Sequence, residues 1–133
     1  MRLTRLVIVA VAIVASGLVL QVARAQQAAG TRRIDLQRHD LSVPGREVVQ
    51  TIVEIDPGVT SSRHTHPGEE FVYVVAGEAI HVEDGSPDVV LKSGEGFVIR
   101  KGKAHSPRGG ANGARAVVFR VHPTGEAERT LIE

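Results

Sequence analysis

The chain has 133 residues, with 16 Lys or Arg against 15 Asp or Glu and a formal net charge of +1. That length accommodates one domain, and the near balance of charge excludes the strongly basic surface that nucleic acid selects. No residue is cysteine, which excludes disulfides and thiolate ligands, so any metal must be held by nitrogen and oxygen.

The first element is an export signal or an anchor. Met1-Arg2-Leu3-Thr4-Arg5 carries two positive charges, and Leu6 to Val22 is apolar apart from Ser16, Gly17 and Gln21. Ala23-Arg24-Ala25 then places small residues at the two positions a signal peptidase reads. The stretch is also about long enough to span a bilayer. The A-x-A site favours residues 1–25 as a cleaved signal, which predicts a periplasmic or extracellular protein with no membrane association after cleavage. Removing Arg2, Arg5 and Arg24 from the 16 basic residues leaves 13 against 15 acidic ones.

Residues 26–40 open with the polar, Ala-rich QQAAGTRR and are expected to be a flexible lead-in. From residue 41 to 123 the pattern is strand and turn. REVVQTIVEI (46–55) is rich in β-branched residues and stops at Asp56-Pro57-Gly58. Phe71 to Ala76, Ala79 to Val82, Val89 to Leu91 and Phe97 to Arg100 follow, punctuated by Gly-rich turns. ARAVVFRV (114–121) is the last run before Pro123. Short strands at this spacing predict an all-β sandwich or barrel. The tail 124–133 reads as either a helical turn or an edge strand. With one Tyr and three Phe, Val and Ile must fill the core, and a homodimer paired through an edge strand is compatible with so small a domain.

The chemistry concentrates in HTHPGEEF (64–71). On a strand, His64 and His66 share one face, and Glu70 stands at a further even offset. Pro67-Gly68 weakens that parity, so Glu69 remains the rival carboxylate, with Glu70 preferred. Imidazoles suit Zn, Cu, Fe and Ni, and a carboxylate suits Mn and Fe. A fourth ligand would have to come from a distant strand.

Gly58, five residues, His64, one, His66, three, Glu70, six, Gly77 resembles the first motif of the cupin superfamily at every fixed position. Gly94, Gly102 and His105 fit the second motif, while Arg100 stands where that motif has proline and Gly109 where it has asparagine. The resemblance spans Gly58 to Gly109. It implies a small antiparallel jelly-roll β-barrel carrying one divalent metal ion (Fe, Mn, Ni, Cu or Zn) on His64, His66, Glu70 and His105.

It also implies a function: a metal-dependent dioxygenase, decarboxylase or isomerase acting on a small molecule that chelates through oxygen. Glu70 would be ligand and, on swinging off, catalytic base. The alternative is a non-catalytic metal- or ligand-binding module. Among the remaining histidines, His39 and His122 read as surface residues, and His81 reads first as an ordinary strand residue and otherwise as one that lines the barrel and touches a substrate. Phe71 and Tyr73 read as core more readily than pocket. Arg100, Lys101, Lys103 and Arg108 read first as a solvated turn, and otherwise as a patch that steers an anionic substrate.

Overall fold

The structure is a computed structural model that describes residues 28–133. The proposed signal at 1–25 lies outside the described residues. Eight strands and no helix occur among those residues. They are β1 (Thr31–Asp40), β2 (Arg46–Ile55), β3 (His64–Thr65), β4 (Glu69–His81), β5 (Val89–Lys92), β6 (Gly96–Ile99), β7 (Arg108–Pro123) and β8 (Thr130–Leu131). The larger sheet runs β1-β2-β7-β4-β5, with β6 also paired to β4, and a small sheet pairs β3 with β8. All pairings are antiparallel. The expected all-β antiparallel architecture is present.

At the N-terminal end an expectation is corrected, and at the C-terminal end an open alternative is decided. Residues 31–40, read as lead-in, form a ten-residue strand laid along β2 from Thr31↔Ile55 to Asp40↔Glu47. TRRIDLQRHD reads as polar because most of this edge strand faces solvent, and its backbone pairing carries no sequence signal. The tail is an edge strand and not a helical turn: Thr130 and Leu131 pair with Thr65 and His64.

Alternation on β2 and β7 works as β-branched sequences dictate. Val49, Thr51 and Ile55 point inward, and so do Ala116, Val118, Arg120 and His122. On β4 the alternation changes phase. Glu70 and Val74 are buried, and after register shifts at Val74/Ala76 and Gly77/Ala79 the buried residues are Ala79 and His81. Each bulge adds an unpaired residue and re-aims the side chains that follow. Gly77 sits inside this distortion at φ 71°, where a Cβ would come within 2.1 Å of the Gly113 carbonyl oxygen. The glycine is therefore required twice, by backbone conformation and by close approach.

The opposite face of β4 reverses another expectation. Phe71, Tyr73 and Val75 point outward and are exposed, alongside Val98 and Phe119. Phe71 is the cross-strand partner of both Phe119 and Val98, so these apolar side chains form one outer surface and not the core.

The interior itself is unusually polar. Eight hydrophobic residues are buried among those described, against ten polar or charged ones. The apolar cluster is Val74, Ala79 and Leu91, with Val89, Phe97 and Ala114 packed against it. Buried polar groups cost free energy unless they are paired or bound, so an interior of this composition marks a site.

Candidate metal centre

His64, His66 and His105 converge inside the barrel. One ring nitrogen from each lies within 4.8 Å of the others, and all three residues are buried. The ring centroids are 4.4 Å apart for His64–His105, 4.8 Å for His64–His66 and 5.2 Å for His66–His105. Backbone pairing holds the two motifs together. His64 N–H donates to the His105 carbonyl and His105 N–H donates to the His64 carbonyl, both at 3.0 Å, while Gly102 N–H donates to the His66 carbonyl at 3.0 Å.

Each imidazole is oriented through its Nδ1. His64 Nδ1 lies 2.7 Å from the Ser62 carbonyl, His66 Nδ1 2.6 Å from the Glu128 carbonyl, and His105 Nδ1 2.9 Å from the Lys103 carbonyl. A carbonyl only accepts, so Nδ1 must carry the proton, and a ring that is neutral then keeps its lone pair on Nε2. This is how metal-binding histidines are commonly fixed. The Nε2 atoms of His66 and His105 are buried without a hydrogen-bond partner. Such orphaned acceptors are rare in a native interior, and a single metal ion would satisfy them.

Protonation states suit the same purpose. Burial, reinforced by the neighbouring His105, pushes the His64 pKa down to about 3. Burial also lowers that of His105. Both rings are therefore neutral near pH 7. Burial alone would raise the Glu70 carboxyl, but the Arg120 guanidinium outweighs it and holds it well below the usual carboxylate range.

Glu70 is buried and Glu69 is exposed, which resolves their orientation in favour of Glu70 as the inward carboxylate. Glu70 Oε2 lies 2.8 Å from His66 Nε2 without the alignment of a hydrogen bond. A carboxylate oxygen facing a nitrogen lone pair is repulsive unless a cation lies between them. Neighbouring ligands on an octahedral ion are about 3 Å apart when metal–nitrogen bonds are about 2.1 Å. The group whose ligand atoms all lie within 4.8 Å of one another is nevertheless the three histidines without Glu70, which reaches the centre through His66 alone.

Several residues surround this centre that their sequence context did not mark. Arg120 Nε donates to Glu70 Oε2 at 2.5 Å, and Arg120 Nη1 donates to Thr51 Oγ1 at 3.3 Å. Arg33 and Arg38 both pair with Glu128, whose carbonyl accepts from His66. The C-terminal segment is therefore part of the site. His81 is buried against Phe97, with ring centroids 4.6 Å apart and 5.6 Å from His105, so it lines the cavity and is not an ordinary strand residue. His122 is also buried, its Nε2 3.6 Å from Glu47 Oε1, and the surface reading is corrected. Inward parity with Val118 on β7 was the signal for both Arg120 and His122. His39 is exposed as expected. In the basic turn, Lys103 pairs with Glu83 and Arg108 with Asp88, while Arg100 and Lys101 are exposed.

Comparison with known proteins agrees with this picture. No curated protein matches the sequence. Many solved structures share the fold. A protein with a double-stranded beta-helix domain from Klebsiella pneumoniae superposes with a TM-score of 0.62 at 22% identity, covering 79% of this chain and 86% of that one. The DMSP lyase DddQ from Ruegeria pomeroyi gives 0.57 at 26% identity over 63% of this chain, which spans only 42% of the lyase. A salicylate 1,2-dioxygenase from Pseudaminobacter salicylatoxidans gives 0.58 at 16% identity over 70% of this chain and 26% of that enzyme. The cupin-domain family model matches residues 51–122, more than half of the sequence, and carries the assignment that the motifs and the buried histidines point to: the chain belongs to the cupin family.

Proposed function

We propose that this cupin is a metal-dependent enzyme acting on a small organic molecule, with His64, His66, His105 and Glu70 holding one divalent ion. The observation that carries the reading is the pair of buried, unpartnered Nε2 atoms on His66 and His105, each on a ring locked through Nδ1. Three histidines and one carboxylate leave positions open on a six-coordinate ion, as a catalytic site requires and a saturated structural site does not. When bound, the metal would polarise an oxygen of the substrate or activate dioxygen. Cupin neighbours named as a dioxygenase and a lyase support that range of chemistry.

The chain's own residues define the rest. Arg120 fixes Glu70 in its ionised form, which suits a ligand better than a base that must leave the metal and accept a proton. The apolar wall formed by Val72, Leu91, Phe97 and Val118 excludes water and orients the substrate body. His81 lines the same cavity, with its Nε2 held 3.1 Å from Glu83 Oε2. Export directed by residues 1–25 would put the reaction outside the cytoplasm.

The test is turnover by protein reconstituted separately with Fe, Mn, Ni, Cu and Zn. Oxygen consumption and substrate loss are followed over a panel of small oxygen-chelating compounds. Turnover with at least one metal, abolished by His105→Ala, supports the enzyme. Tight metal binding with no turnover across the panel points instead to a binding module.

A further inference from the structure

The outer face of the larger sheet carries apolar side chains that neither the core nor the metal centre uses. Register sets them in two rows that cross the strands. Val98, Phe71 and Phe119 are successive cross-strand partners on β6, β4 and β7, and Gln50 and Gln37 extend that row onto β2 and β1. Tyr73, Val117, Ile52 and Ile34 make the second row across β4, β7, β2 and β1. Alternation turns both rows away from the buried Val74, Ala116 and Val118. Phe71, Tyr73, Val75, Val98, Phe119 and Ile34 are each between 38% and 50% exposed.

Side chains of this size, half exposed, leave roughly 500 Å² of contiguous apolar surface, near the top of what a lone soluble chain shows. A stable interface covers about 800 Å² on each partner, somewhat more than half of it apolar. The face therefore holds the apolar area of one side of such an interface. Its border is polar. The cross-strand row Arg32–Glu54–Arg115 closes one side, and Glu69 and His39 stand at the two ends of the row that closes the other. An apolar centre inside a polar rim is the anatomy of a protein interface. Two arginines against two glutamates leave that rim balanced, so a copy of the same face is not repelled. An anionic lipid surface, which selects an excess of Lys and Arg, is not favoured. Pairing through the β1 edge is not favoured either, because Arg32, Arg33, Asp35, Arg38 and Asp40 guard that strand with charge.

We propose that two copies of this chain associate face to face through this surface about a two-fold axis, with Phe71, Tyr73 and Phe119 as the central contacts. A two-fold contact uses the same patch on both partners, so the patch must complement itself. A charge-balanced apolar sheet face meets that demand, and stacked sheets interdigitate their side chains at a separation of about 10 Å. The association runs through the face of the sheet and not through the edge strand that the size of the domain suggested. It leaves the barrel interior untouched, so it stands or falls independently of the metal centre and of any reaction there.

The test is sedimentation equilibrium of the full-length protein, metal-free and metal-loaded. The parent should have twice the mass of one chain at about 10 μM, since interfaces of this size hold at micromolar concentration or below. Tyr73→Glu and Phe119→Ser should each weaken association about thirty-fold or more, as the loss of a central aromatic contact does. Leu131→Glu, at an exposed apolar position in the small sheet, should leave the mass of the dimer unchanged. Equal association with and without metal is expected. A parent that is monomeric at about 100 μM, ten times the expected working range, overturns the proposal and leaves the face to a different protein. A dimer that persists undiminished in both face variants, held through residues 1–25 or a strand edge, overturns it as well. Should Tyr73→Glu fail to fold, Phe119→Ser decides alone, and an unchanged dimer in that variant overturns the proposal.

Discussion

Glu70 and Arg120 are cross-strand partners on β4 and β7, and both side chains are buried with Arg120 Nε 2.5 Å from Glu70 Oε2. The pair joins the metal centre to the rest of the buried polar interior. Arg120 keeps the carboxylate ionised and fixes its direction, while Glu70, with Glu128 3.8 Å from Arg120 Nη1, supplies the buried guanidinium with counter-charge.

Breaking that pair from one side should be costly. Arg120→Met leaves Glu70 charged and unpaired in the barrel, a loss of about 3–5 kcal/mol. Urea unfolding of the metal-free protein measures it. Arg120→Met combined with Glu70→Gln should recover much of the loss, since no unpaired charge then remains. A double variant as unstable as the single one would contradict the pairing account.

Acid should destabilise the metal-free protein, beginning near neutrality. The folded pKa of His64, about 3, lies below the ordinary histidine value of about 6.5. Between those values the unfolded chain binds more protons than the folded one, so stability rises with pH there. The contribution is fully present above about 6.5 and is lost as pH falls towards 3. His105 acts in the same direction. Glu70, with its folded pKa depressed, adds a further loss as pH falls below its unfolded value. His64 alone should account for about 3 kcal/mol between pH 7.5 and 4, with His105 and Glu70 adding to it. Denaturant midpoints across that range test it, and a midpoint that rises on acidification would be the wrong sign.

The C-terminal segment should matter to metal affinity without supplying a ligand. Its Glu128 carbonyl orients His66, and its Glu128 carboxylate is bound by Arg33 and Arg38. Deleting residues 124–133 removes both. Losses of about 10–100-fold are typical when an orienting partner of a ligand is removed. Competition with a chromogenic chelator would show the change. Affinity equal to that of the full chain would mean that His66 needs no such support.

Gly109 stands where the second cupin motif has asparagine, and the structure explains the departure. A Cβ at this position would lie 2.4 Å from the Asp56 carbonyl oxygen. Gly109→Asn should therefore destabilise the fold by about 1–3 kcal/mol, with a lower melting temperature as the readout.

What could be read from the sequence follows from how local each feature is. His64, His66 and Glu70 lie in one short segment with glycines at fixed distances, so their convergence was legible, and His105 followed from the second motif. β2 and β7 were legible because both alternate cleanly. β1 was not, since an exposed edge strand is held by backbone bonds that leave no apolar pattern. The facing of His81 was hidden by two bulges that change the phase of β4. Phe71 and Tyr73 misled because they are apolar yet lie on the outer surface of the sheet. Arg33, Arg120 and Arg129 are scattered over three segments, and only the folded chain brings them to one cavity. The basic residues that are clustered in sequence, Arg100 to Lys103, are those that stay outside it.

The central claim is that one divalent ion sits on the three histidines. Elemental analysis of purified, reconstituted protein tests it directly, alongside His105→Ala prepared in the same way. The account predicts about one ion per chain in the parent, at least a ten-fold weaker hold in the variant, and a higher melting temperature for the loaded parent. A parent that retains no metal, or a variant that retains as much as the parent, would contradict it.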